Sequence, residues 1–315
     1  MIEAQSLTRY YGRNAAVNRV SFSIDQRQIV GLLGHNGAGK TTVMKMLSGY
    51  LEPSSGRARI GGLDLETHAR EIQRTLGYLP ENLPVYPEMT SADYLDYAAH
   101  LKGLRGAAKA RAIRHSVAAT ELGERYLDPI GQLSRGFKQR VGVAQAILGE
   151  PELLILDEPG NGLDPEQNEH MRELIRDLAG RATVILSTHI MQEVDALCDR
   201  VLVLSAGALA LDASMGSLRE SRHLLLACSD DQAELKSVLK RVPQIARIET
   251  RPAESGQIAL RLALGKGAAM DTAAGNVSRA VIEAGARLYR LAPEQRDLEQ
   301  IFRESVHGSG DRHAA

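Results

Sequence analysis

The run Gly34-His35-Asn36-Gly37-Ala38-Gly39-Lys40-Thr41-Thr42 carries the first chemistry legible in the chain. It fits GxxxxGK[ST], follows the apolar run from Ile29 and precedes a helix-period stretch that turns Val43, Met46 and Leu47 to one side. Glycines here let backbone N–H groups point at a phosphate at a helix N-terminus. Lys40 supplies a point charge to the β and γ phosphates, and the Thr41 hydroxyl can ligate magnesium. A second group closes the run LLILDEP, where Asp157 and Glu158 stand together after an apolar strand. Asp157 suits a magnesium ion, held directly or through water. Glu158 suits the proton of a water that attacks the γ-phosphate in line. A Gly-rich turn, or two adjacent carboxylates, would each be ordinary structure if met alone. Together, at a strand–loop–helix junction and a strand end, they point to binding and hydrolysis of a nucleoside triphosphate.

Positioning such groups takes an α/β framework, and the sequence supplies one. From Ile29 to about Leu204, short apolar runs alternate with longer helix-period segments, the pattern of a mostly parallel sheet covered by helices. IVGLLG (29–34), LLILD (153–157), VILS (184–187) and VLVLS (201–205) read as strands buried on both faces. Asp164-Pro165 reads as an N-cap and first-turn pair, and Met171, Leu174, Ile175 and Leu178 repeat at helical spacing until Gly180. Residues 82–150 are rich in Ala, Leu and Arg beyond residue 90, with helix-period stretches at Tyr94–Leu101 and Ala110–Glu121, and read as an inserted helical subdomain. After residue 220 the pattern becomes βαββαβ, the ferredoxin-like order, followed by an amphipathic segment with Leu298, Ile301 and Phe302. The expected organisation is therefore an ATPase domain over 1–220, a small α+β domain over 221–305 and a disordered tail over 306–315.

Bulk properties narrow the function. Lys plus Arg number 38 and Asp plus Glu 39, a net charge of -1, so nothing in the overall balance favours nucleic acid. Cys198 and Cys228 stand in separate contexts with no ligand spacing, which argues against a disulfide framework or a zinc site. No run approaches the roughly 18 apolar residues of a membrane helix, and the N-terminus lacks a secretion-signal pattern. A cytosolic protein is expected, and any membrane path belongs to another polypeptide.

Leu133-Ser134-Arg135-Gly136-Phe137, upstream of the 153–157 strand, resembles the LSGGQ signature of ABC ATPases. Further landmarks follow the same pattern: Gly162-Leu163-Asp164 is similar to the D-loop, His189 in LSTHI to the switch histidine, and Tyr11 in RYYGRN to the aromatic that stacks on adenine, with Tyr10 as the alternative. The resemblance implies that Ser134, Gly136 and their helix N-terminus face the γ-phosphate of an ATP held by a partner's phosphate loop, in a head-to-tail homodimer. It implies catalysis by Glu158 with His189, and ATP contacts from Tyr11, residues 34–42, Glu81, Ser134, Gly136 and Asp164. Mg2+ would be held by Thr41, Glu81 and Asp157. Two positions depart from the commonest pattern: Glu81 in GYLPEN replaces a glutamine, and Arg135 replaces the signature's first glycine. Glu81 would ligate magnesium more strongly than an amide or shift the placement of water. Arg135 would set a cation near the opposing phosphate or point to solvent.

The YLPE and SRGFKQR forms look like the export-type branch that includes gliding-motility and nitrous oxide reductase accessory ATPases. That resemblance implies an ATP-hydrolysing subunit at the cytoplasmic face of the membrane, peripheral through integral permease subunits. A soluble ABC ATPase acting on nucleic acid or ribosomes is the alternative. Such proteins usually carry two cassettes, a long coiled coil or zinc modules in one chain, none of which is present. The run Leu83, Val85, Tyr86, Met89 is expected to be displayed and to offer a groove to a permease helix.

Overall fold

The computed structural model describes residues 2–219, 222–229, 235–253, 256–294 and 298–308. They form two units, Met1–Met215 with Phe302–Ala315, and Gly216–Ile301. The first unit begins with a hairpin, β1 (Ile2–Tyr11) and β2 (Asn14–Ile24), then β3 (Ile29–Leu33) and α1 (Lys40–Leu47). Next come β4 (Ser55–Ile60), β5 (Leu63–Asp64), α2 (Leu65–Thr75) and β6 (Leu76–Leu79). Three helices follow, α3 (Ser91–Leu101), α4 (Gly106–Ala119) and α5 (Arg135–Ile147). The unit then alternates: β7 (Leu153–Asp157), α6 (Pro165–Ala179), β8 (Thr183–Ser187), α7 (Met191–Leu197), β9 (Arg200–Ser205) and β10 (Ala208–Ser214), before α8 (Met215–Arg219).

The main sheet has the order β10-β9-β3-β8-β7-β6, parallel except for β10 at its edge. β3, β7 and β8 are buried at every residue, which is why they appear in the sequence as unbroken apolar runs rather than alternating ones. This order decides the chemistry. It lays β3, β8 and β7 side by side, so the loops leaving their carboxyl ends, at residues 34–39, 188–190 and 158–164, open at one edge of the sheet.

A second, antiparallel sheet of order β2-β1-β4-β5 packs with α1 into the same apolar core. The 1–28 region did not announce β1 and β2 because their alternation is broken. Register shifts interrupt β1 against both β2 and β4, and Ser6 and Arg19 take positive φ at those breaks. The helices α3, α4 and α5 share a core of their own around Leu95, Ile113, Leu122, Ile130 and Val141. There the displayed apolar run needs correcting. Val85 and Met89 pack against this core and Leu83 turns toward Gly142, while Tyr86 stays 46% exposed.

The second unit contains β11 (His223–Ser229), α9 (Leu235–Leu239), β12 (Ile245–Arg251), β13 (Gln257–Leu264), α10 (Met270–Glu283) and β14 (Leu288–Pro293). Its sheet runs β12-β13-β11-β14 with every neighbouring pair antiparallel, over a core that includes Leu224, Leu226, Leu262 and Val277. α11 (Leu298–Gly308) ends the described chain. The first turn expected at Gln232 and the tail beyond residue 308 lie outside the described residues. Both cysteines are buried, and burial, with Asp199 and Glu193 nearby, pushes the Cys198 thiol up to about 12.

Candidate active site

The 34–39 loop is shaped by backbone crowding. A first side-chain carbon at Gly34 (φ 153) would lie 2.6 Å from Leu204 O, and one at Gly39 (φ 105) would lie 2.6 Å from Ala16 O. Only glycine fits at these two points, so the loop is held between β9 and the hairpin strand β2. Ala38 N–H donates to His35 O at 3.0 Å. α1 starts directly at Lys40 with no side-chain cap and no acidic residue in its first turn, which leaves its N–H groups facing whatever the loop holds. Lys40 Nζ donates to Gly34 O at 2.6 Å and to His35 O at 3.3 Å, folding the ammonium back across the loop.

Beside the loop, Asp157 is 1% exposed at the end of β7. Ser187, the last residue of β8, donates to Asp157 Oδ1 at 2.5 Å and accepts from Glu158 N–H at 3.1 Å. Asp157 Oδ2 is buried and has no hydrogen-bond partner among the described residues. A carboxylate oxygen left bare in this way suits a cation, and Thr41 stands one residue into α1, after Lys40. Glu158 has φ 52 in a turn closed by Asn161 N–H, and His189 Nδ1 lies 2.9 Å from its Oε2. A carboxylate accepts but does not donate, so this contact places the proton on Nδ1.

Gly34, His35, Asn36, Glu81, Glu158 and His189 line one cavity of about 760 Å³. Asn161, Thr188, Met191 and Phe302 complete its wall, the last with its ring 5.3 Å from that of His35. Of the other candidate residues, Tyr11, Gly37, Ala38, Gly39, Lys40, Thr41, Thr42, Ser134, Gly136, Asp157 and Asp164 do not line it. Ser134 caps α5 and accepts from Phe137 N–H at 3.3 Å, and Asp164 caps α6 in a reciprocal pair with Gln167. Tyr11 sits at the hairpin tip, half-exposed, with the Arg9 guanidinium 5.3 Å from its ring centre. Sequence reasoning missed Ser187, Asn161, Gln139 and Phe302. Only Ser187 had a visible signal, as the polar end of an otherwise apolar strand.

The family model described as "ABC transporter" matches residues 17–161. The bacitracin transport ATP-binding protein BcrA of Bacillus licheniformis is 32% identical over 98% of both chains. The chain belongs to the ABC transporter ATP-binding protein family. The Nod factor export ATP-binding protein I of Burkholderia orbicola is 33% identical over 70% of this ABC ATPase and 73% of its own length. A solved dimeric bacterial ABC transporter cassette shares the fold, with a TM-score of 0.64 at 22% identity over 68% of this chain and 99% of its own. The chain is thus an ATP-binding and ATP-hydrolysing subunit of an ABC transporter. No helix among the described residues is long and apolar enough to cross a membrane.

In this ABC ATPase the atypical Arg135 neither reaches into the 34–39 loop nor extends freely. Its Nη2 donates to Asn161 Oδ1 at 2.8 Å. Four residues on, Gln139 Nε2 donates to Glu158 O at 3.1 Å.

Proposed function

We propose that this ATPase works as half of a head-to-tail dimer, with two ATP molecules held between one chain's 34–42 loop and the Ser134 end of the other chain's α5. One observation carries the reading. Gly34, His35 and Asn36 of the phosphate loop line one cavity with Glu158 and His189, while Ser134 and Gly136 of the same chain are not in its wall, and Ser134 caps its own helix instead. The site is open where a second copy's helix N-terminus would supply the missing donors.

On this reading Lys40 exchanges its loop carbonyls for the β and γ phosphates, and residues 34–42 wrap them. Tyr11, with one face taken by Arg9, offers the other to adenine. Mg2+, when bound, neutralises charge building on the phosphates; Asp157, Thr41 and Glu81 would hold it. Glu158 accepts a proton from water as the water oxygen bonds to the γ-phosphorus and the bond to the β–γ bridging oxygen breaks, giving ADP and phosphate. His189 holds the Glu158 carboxylate in position, and Asp164 ties the loop after it to α6.

Closure and reopening of the dimer then move a separately encoded integral membrane permease, placing the ATPase at the cytoplasmic face. Export is the favoured direction, in keeping with relatives named for bacitracin transport and Nod factor export and with the gliding-motility and nitrous oxide reductase branch. A cavity of about 780 Å³ beside α3 presents Pro84, Tyr86, Tyr97 and Leu101 and suits a permease helix. We read α3–α5 as the inserted helical subdomain, and the second unit's βαββαβ sheet as ferredoxin-like.

Mixing two inactive variants tests the sandwich. Lys40→Ala lacks phosphate binding and Ser134→Arg cannot complete a partner's site. Mixed dimers contain one intact composite site, so activity should reappear in an equimolar mixture, up to a ceiling of about a quarter of wild type if the two sites work independently. No recovery, with mixed dimers demonstrably formed, would exclude sites built across the two chains.

A further inference from the structure

The first turns of α5 are fastened to the turn that carries Glu158 of the same chain. Arg135 and Gln139 lie one helical turn apart, on one side of α5. Arg135 Nη2 donates to Asn161 Oδ1 at 2.8 Å, and Gln139 Nε2 donates to Glu158 O at 3.1 Å. The Glu158 carbonyl also accepts from Asn161 N–H at 3.1 Å, so both side chains grip one closed turn. The Arg135 stem lies flat on Gly162, where a first side-chain carbon would come within 2.5 Å of Arg135 Cδ. Glu158 holds positive φ, and its N–H is bonded to Ser187. The carboxylate's direction therefore depends on what restrains the turn on both sides.

We propose that Arg135 and Asn161, with Gln139, form a clamp that couples the signature end of α5 to the general base of the same chain, making the two ATP sites of the dimer cooperative. The inference rests on the sandwich reading, in which Ser134 and Glu158 of one chain serve different nucleotides. ATP held by the partner orders Ser134 and the first turn of α5. The clamp passes that order to residues 158–161 and so to the chain's own hydrolysis site. A glycine at position 135 has no side chain to make this tie, so the substitution that departs from the commonest signature creates a link in cis. Arg135 is a positioning residue that acts through Asn161 and the turn after Glu158.

The test is the ATP dependence of hydrolysis by the full-length dimer for wild type, Arg135→Ala, Arg135→Lys, Asn161→Ala and the Arg135→Ala/Asn161→Ala double variant. ATP-dependent dimerisation is measured in parallel, in a Glu158→Gln background. The clamp predicts sigmoidal wild-type kinetics, with a Hill coefficient above 1 and at most about 2 for two sites. In Arg135→Ala and Asn161→Ala the coefficient should fall to about 1 and kcat roughly tenfold, with half-saturating ATP and dimerisation unchanged. The double variant should be no worse than either single change, and Arg135→Lys should restore part of the cooperativity. Unchanged Hill coefficient and kcat in Arg135→Ala, or additive losses in the double variant, would overturn the clamp. Loss of dimerisation in Arg135→Ala alone would also overturn it, because the guanidinium would then serve closure. Absence of a wild-type-signature dimer with ATP would instead remove the sandwich reading itself.

Discussion

Replacing Asp157 with asparagine separates stability from function in a way that the geometry makes quantitative. The side chain is 1% exposed, Oδ1 is held by Ser187 and Oδ2 has no partner among the described residues. A buried polar atom left unsatisfied costs about 1–3 kcal/mol, and more when it belongs to a charged group. Asparagine keeps the Ser187 contact at Oδ1 and exchanges a bare carboxylate oxygen for a neutral amide, which is cheaper to leave unpaired. Without nucleotide, Asp157→Asn should therefore be more stable than wild type by about 1–2 kcal/mol, a rise of roughly 3–6 °C for a unit of this size. With Mg2+ and ATP the order should reverse. Ligand at a hundred times its dissociation constant stabilises wild type by about 2.7 kcal/mol, and the variant should lose most of the Mg2+-dependent part. Thermal melts with and without Mg-ATP, paired with ATPase rates, provide the assay. A variant that melts lower without nucleotide, or keeps the full Mg2+-dependent shift, would refute the assignment of Oδ2 as an oxygen waiting for a cation.

Lys102, part-buried, donates to Ala146 O and Leu148 O at the end of α5, and burial lowers it to about 8. Its folded value lies below the ordinary 10.5, so the unfolded chain binds more protons between those two pH values and stability rises with pH across that window. Relative to Lys102→Met, wild type should gain roughly 2 kcal/mol between pH 7.5 and 9.5 in urea titrations, and a flat difference would contradict this. Gly39→Ala forces a side chain against Ala16 O at a left-handed φ. A loss of about 1–3 kcal/mol and much weaker ATP binding by calorimetry should follow, whereas wild-type affinity would show that the loop tolerates movement. Tyr86→Asp with Tyr97→Asp, at rings 6.1 Å apart and both exposed, should leave ATPase activity of the isolated chain intact and abolish co-purification with the membrane subunits. Retained co-purification would place the permease elsewhere.

Much of the site was legible because its chemistry is bound to short stretches. Gly34 to Thr42, Asp157 with Glu158, and His189 each stand at or just beyond the end of a strand buried at every position, and a mostly apolar run is visible without knowing its neighbours. The antiparallel sheet of β1, β2, β4 and β5 was not visible, since its strands shift register and one face alternates only between breaks. Val85 and Met89 looked like a displayed run because the core they pack against is completed by α5, which comes much later in the chain. The same holds for the residues that organise the base. Ser187 serves Asp157 and Glu158 from a neighbouring strand, and Arg135 finds Asn161 across a gap of 26 positions. Pairings of that kind follow from strand order and helix placement, which residue types alone do not specify.

The central claim is a composite site completed by Ser134 of a second copy, and sedimentation of the purified Glu158→Gln chain tests it most directly. With Mg-ATP it should sediment as a dimer and without nucleotide as a monomer, and adding Ser134→Arg should return it to monomer while ATP binding persists. A chain that binds ATP yet remains monomeric, both alone and with its membrane subunits, or that dimerises equally well with Ser134→Arg, would contradict the account.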